Sequence, residues 1–73
     1  MNHKIAVFPG SFDPVTLGHV DLVQRALFLF DKMYLVIGIN NNKAPLFSVE
    51  QRMEWLKATF RNESRVTIAT HEG

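Results

Sequence analysis

The chain has 73 residues, room for one small domain at most, and a chain of this size buries only about 60% of the surface its unfolded state exposes. It is 47% hydrophobic and 21% charged, and its eight basic and seven acidic residues leave a net charge of +1. The charges are interspersed, which argues against a nucleic-acid track or an anionic-membrane surface, and the lack of cysteine excludes disulfide staples and thiolate metal sites and fits a reducing, cytoplasmic setting.

The first apolar run, Ile5 to Phe8, is too short for a signal-peptide core or a membrane span. Lys4-Ile5-Ala6-Val7-Phe8, halted by Pro9-Gly10, predicts a buried strand. Gly10 to Pro14 reads as a loop, because Pro14 forces Asp13 into an extended conformation. From Thr16, a natural N-cap, a helical period begins: Val20, Val23, Leu27 and Phe30 are spaced 3, 4 and 3 residues apart, and Asp31-Lys32 closes the helix. Met33 to Ile39 carries no charge and is continuously apolar, the pattern of a strand covered on both faces. Asn40 to Pro45 is a loop. Ser48 and Gln51 form a capping box for a second helix, whose stripe is Val49, Met53, Leu56 and Phe60. Asn62-Glu63-Ser64 breaks it, and Val66 to Thr70 alternates like a third, less buried strand.

The order is thus β-α-β-α-β, with no internal repeat or linker. Short loops between strand and helix imply parallel strands joined by right-handed crossovers, the amino-terminal half of a doubly wound, Rossmann-like α/β sheet. Two such crossovers in one direction put both helices on one face. They predict a strand order of 3-2-1, with the first strand as an edge and the opposite face bare.

The stretch Pro9-Gly10-Ser11-Phe12-Asp13-Pro14-Val15-Thr16-Leu17-Gly18-His19 lies where open parallel sheets bind ligands, beyond the carboxyl end of a strand. Gly10 removes a side chain where backbone would approach a ligand, and Ser11 offers a hydroxyl and an N–H. The helix start presents unpaired N–H groups at the positive end of the dipole. Gly18 costs the helix roughly 1 kcal/mol against alanine, a cost that makes sense where a base or phosphate needs the space. His19, when protonated, has two donors to offer. Each part has an ordinary reading too: a turn glycine, a capping threonine, a solvent-facing histidine. Their joint spacing after a buried first strand is what singles them out.

Thr16-Leu17-Gly18-His19 resembles the [HT]-x-G-H signature of the nucleotidyltransferase superfamily. With Gly10-Ser11-Phe12-Asp13-Pro14 before it, and Asn42-Lys43-Ala44-Pro45-Leu46-Phe47 and Glu50-Gln51-Arg52 after it, the chain is similar to the bacterial phosphopantetheine adenylyltransferase family. The resemblance implies that residues 1–73 are the amino-terminal half of a single nucleotidyltransferase domain. The carboxyl-terminal half, with its I-S-S-T-x-x-R signature, is not in the sequence, and the 73-residue chain alone is expected to be inactive. The implied reaction transfers the adenylyl group of ATP to 4′-phosphopantetheine, giving dephospho-coenzyme A and pyrophosphate. The acceptor phosphate is itself nucleophilic, so the demand on the protein is alignment and charge neutralisation. On the resemblance, His19 donates to the ATP phosphates, Lys43 holds the acceptor phosphate, and Ser11 orients the nucleophile between them. Gly10, Ser11, Phe12, Gly18 and His19 form the ATP site, Mg2+ bridges substrate phosphates without a protein cage, and the assembly is a homo-oligomer. The alternatives are transfer to nicotinate mononucleotide or a phospho-alcohol, whose enzymes more often carry His at the position of Thr16, or a non-catalytic nucleotide-binding module. A dinucleotide-binding half fits poorly, since G-x-G-x-x-G is absent and Asn40 stands where an acid belongs. Glu50 and Arg52 are expected on an exposed helix face, with an active-site contact as the alternative, and Trp55 in a core or interface, while His3 and His71 carry no argument.

Overall fold

The computed structural model describes residues 3–39 and 44–72. Three strands and two helices alternate: β1 (Ile5–Gly10), α1 (Leu17–Ala26), β2 (Lys32–Ile39), α2 (Val49–Thr59) and β3 (Val66–Glu72). The strands form one parallel sheet in the order β1-β2-β3, as the crossover argument requires. In register, Ala6 faces Met33 and Phe8 faces Leu35, while Leu35 faces Ile68 on the other side. Side chains alternate across a strand, so Met33, Leu35 and Ile37 share one face of β2. That face meets Val23 and Leu27 of the first crossover and Leu56 and Phe60 of the second in a single core, which puts both helices on the same side.

The other face is open. Ile5 and Val7 of β1 are 54% and 63% exposed. Beside them Tyr34 and Val36 are half-buried, and Lys32 Nζ sits 5.1 Å from the centre of the Tyr34 ring. The bare face and edge strand that the crossovers predicted are thus present, and for that reason β1, expected to be buried, and β2, expected to be covered on both faces, each have helices on one side only. β1 also runs on through Pro9 and Gly10 instead of stopping before them. Lys4 C=O accepts from Asp31 and Lys32, so even-numbered residues face β2 and the missing N–H of Pro9 falls on the open side, where no ladder bond is lost.

Helix α1 ends earlier than its apolar period suggests. After Ala26 the chain tightens: Phe28 and Leu29 donate to the carbonyls of Arg25 and Ala26, three residues back, and Arg65 Nη1 donates to Leu27 C=O at 3.0 Å. Phe30 thus lies beyond the helix, and Phe28 and Leu29 stand 90% and 70% exposed. In α2, Ser48 caps as expected by accepting from Gln51 N–H at 3.1 Å.

Candidate active site

The carboxyl end of β1 delivers the chain into a loop, Ser11 to Thr16, that ends at the first turn of α1. Phe12 governs its shape. It has φ 49°, left-handed backbone uncommon for a residue with a side chain, and its ring is 1% exposed. The ring meets Phe8 edge-on at 5.4 Å between centroids and lies 4.8 Å from the His19 imidazole. The backbone reversal is held by burial of this ring in the core. Ser11 before it and Thr16 after it are left exposed at the surface.

Thr16 caps α1 reciprocally. Its hydroxyl oxygen accepts from His19 N–H at 3.4 Å, and its own N–H donates to His19 Nδ1 at 2.9 Å. A backbone N–H can only donate, so Nδ1 is an acceptor and the proton of the neutral ring is on Nε2. His19 therefore presents one donor, Nε2–H, and not the two expected from the sequence, because the cap occupies the other nitrogen. The half-buried ring is held from behind by Phe12 and from the side by Thr16.

The first turn of α1 contains no acidic residue, whereas α2 has Glu50 in its first turn. The positive end of α1 is thus left without a countercharge from its own sequence, and among the described residues nothing accepts from the N–H groups of Leu17 and Gly18, which are free to meet an anion. Asp21, the next acid along, is paired with Arg25 at 3.1 Å on the exposed side.

Two ties bind this loop to α2 and the segment before it, and neither was the expectation from the sequence. Asp13 accepts from Leu46 N–H at 2.6 Å and from Phe47 N–H at 2.8 Å, one with each carboxylate oxygen. Arg52, expected on an exposed face, is 4% exposed. Its Nη1 donates to Ser11 C=O at 2.9 Å and its Nε to Ser48 C=O at 3.3 Å. A signal for Arg52 existed: it stands three residues after Val49 and four before Leu56, inside the apolar stripe. Asp13 offered none, since its partners are more than thirty positions away, 33 and 34. Glu50 is exposed as expected, and Trp55 meets Phe47 edge-on at 4.7 Å.

Gly10, Ser11, Phe12, Gly18 and His19 thus lie at the end of β1, on the loop after it and on the helix turn that the loop feeds. Lys43 lies outside the described residues. The reason for Gly10 changes: a Cβ there would fall 3.0 Å from Phe12 Cε2, so the packed ring would have to give way to admit a side chain. At Gly18 the only close atom among the described residues would be Thr16 Oγ1 at 3.5 Å, an ordinary contact. The fold therefore does not demand Gly18, and the exposed space above it is available to a ligand.

The cytidylyltransferase-like family model matches residues 7–72. The phosphopantetheine adenylyltransferase of Christiangramia forsetii is 56% identical over 70 residues, covering 96% of this chain and 46% of that protein. That of Flavobacterium johnsoniae is 47% identical over 68 residues, covering 93% of this chain and 45% of the relative. The chain therefore spans less than half the length of these relatives. Among solved structures, a NadR protein in complex with NAD and AMP-PNP superposes with a TM-score of 0.86 at 21% identity, covering 99% of this chain and 21% of that one, a likeness of fold.

Proposed function

Since the chain belongs to the cytidylyltransferase-like family, we propose that it forms the amino-terminal, nucleotide-binding half of an adenylyltransferase domain acting in the cytoplasm. The reaction we assign to the complete domain transfers the adenylyl group of ATP to 4′-phosphopantetheine, yielding dephospho-coenzyme A and pyrophosphate. One observation carries the reading: a helix start that lacks any acidic residue of its own has exposed Ser11 on the loop that feeds it, and open space at Gly18 and the Nε2–H of His19 in its first turn. An anion of phosphate size is what such an arrangement accepts. The identity to relatives named phosphopantetheine adenylyltransferase supports the choice of acceptor.

In this mechanism the triphosphate lies across the first turn of α1. Free N–H groups and His19 Nε2–H meet charge that builds on the α-phosphate and the departing pyrophosphate. The imidazole is fixed by its cap and by Phe12 before substrate arrives, so little reorganisation is needed at the transition state. Ser11 orients the attacking acceptor phosphate and Lys43 holds it; both roles rest on the resemblance. Magnesium in such a reaction neutralises phosphate charge. The loop's one carboxylate, Asp13, spends both oxygens on backbone amides and does not fit as a ligand.

Pyrophosphate release by the full-length protein, measured with ATP and 4′-phosphopantetheine, nicotinate mononucleotide or a phospho-alcohol in parallel, tests the assignment. Turnover with phosphopantetheine alone is expected. Preference for another acceptor refutes the substrate, and no turnover with any of them refutes catalysis.

A further inference from the structure

Arg52 is a cation removed from water with no carboxylate in reach among the described residues, whose ion pairs are Arg25–Asp21 and Arg65–Glu63. Its hydrogen bonds go instead to two carbonyl oxygens, that of Ser48 one helical turn back and that of Ser11 across the crevice. Burying a guanidinium in this way is costly unless something requires it. An apolar side chain would fill this position in the α2 stripe at less cost.

The Ser11 carbonyl belongs to the Ser11–Phe12 peptide, which is trans, since among the described residues only Asp13–Pro14 is cis. In a trans peptide the C=O and N–H point in opposite directions. By drawing the carbonyl toward α2, Arg52 turns the Phe12 N–H away from α2. No described residue accepts a hydrogen bond from that N–H. The two ends of this peptide are thus fixed by different means: the buried Phe12 ring sets one, and the guanidinium sets the other.

We infer that Arg52 is a positioning residue, holding the Ser11–Phe12 peptide so that the Phe12 N–H faces a bound phosphate while its unneutralised charge adds to the positive field beneath the loop. The inference rests on the nucleotide-binding reading above. Arg52 touches no substrate in this scheme; it acts through the peptide.

Two variants of the full-length protein test it. Arg52→Met preserves much of the volume and removes every donor, and Arg52→Lys keeps the charge and one reach toward the carbonyl. Calorimetry with ATP is expected to show affinity weakened about tenfold for Arg52→Met, the scale of one lost charge-assisted contact, with Arg52→Lys recovering part of it. In the ligand-free protein, the Phe12 amide resonance should move in Arg52→Met and return toward wild type in Arg52→Lys, and the loss of ATP affinity in a folded variant is the reading that a purely stabilising residue would not produce. Wild-type ATP affinity in a folded Arg52→Met, with the Phe12 resonance unmoved and only the melting temperature lowered, overturns the inference. If Arg52→Met does not fold, Arg52→Lys is read by the same two measurements: wild-type affinity and an unmoved resonance overturn the inference, and partial weakening with a shift supports it. Failure of the wild-type protein to bind ATP is a separate result that brings down the nucleotide-binding reading itself.

Discussion

Replacing Gly10 by alanine in the full-length protein puts a methyl carbon 3.0 Å from Phe12 Cε2 and 3.3 Å from Cζ. Both separations fall inside the distance of about 3.5–4.0 Å at which carbon atoms attract. The ring has no easy retreat, since it is 1% exposed and held between Phe8 and His19. Overpacking of this kind costs about 1–3 kcal/mol. Phe12→Leu removes the two offending atoms and leaves a small void, at a cost below the roughly 3–5 kcal/mol of a Phe→Ala truncation. If the ring is what excludes a side chain at position 10, the double variant is less destabilised than the sum of the singles by about 1–2 kcal/mol. Urea unfolding followed by circular dichroism, without ligand and with m-values compared, measures all four proteins. Additive losses would refute the packing argument and return Gly10 to the role of admitting a ligand.

His19→Ala is expected to lower kcat by about 10²–10³ with the fold intact, as for one lost transition-state donor, and wild-type turnover in a folded variant removes it from the site. Lys43→Ala should raise the KM for the acceptor more than that for ATP; a larger loss of ATP affinity by calorimetry would mean that the two subsites are exchanged. Asp13→Ala deletes both acceptors of the Leu46 and Phe47 amides, and with partial exposure discounting two charged hydrogen bonds, about 2 kcal/mol of local stability goes with them. Hydrogen exchange at those two amides should accelerate roughly 30-fold, and unchanged protection would show that the segment holds itself. A chain of residues 1–73 alone, with Ile5 and Val7 exposed along an unpaired edge, is expected to self-associate or aggregate and to lack adenylyl transfer; a folded, active monomer in analytical ultracentrifugation would contradict this.

What the sequence determined by itself is what depends on near neighbours along the chain. Strand and helix order followed from hydrophobic period, which is a local property: Val20, Val23 and Leu27 face the core where their spacing put them. The Thr16 and Ser48 caps followed from residues three positions apart. Sheet order and the bare face followed from the handedness of short crossovers, and the candidate site from the spacing of Gly10 through His19. Other features depended on where distant residues met. Strand β1 tolerates Pro9 because the strand is an edge, and α1 stops at Ala26 while the apolar period runs on, because the turn after it tightens and Arg65 from across the fold takes the Leu27 carbonyl. The state of His19 depended on which ring nitrogen its cap engaged, which is geometry rather than composition. Gly10 changed its meaning once the Phe12 ring was found folded back beneath it. Asp13 and Arg52 matter through partners 33 to 41 positions away, and no local pattern encodes such a pair. Residue type restricts what a side chain can bond to, but only the closed fold decides which of those partners comes within 3 Å of it.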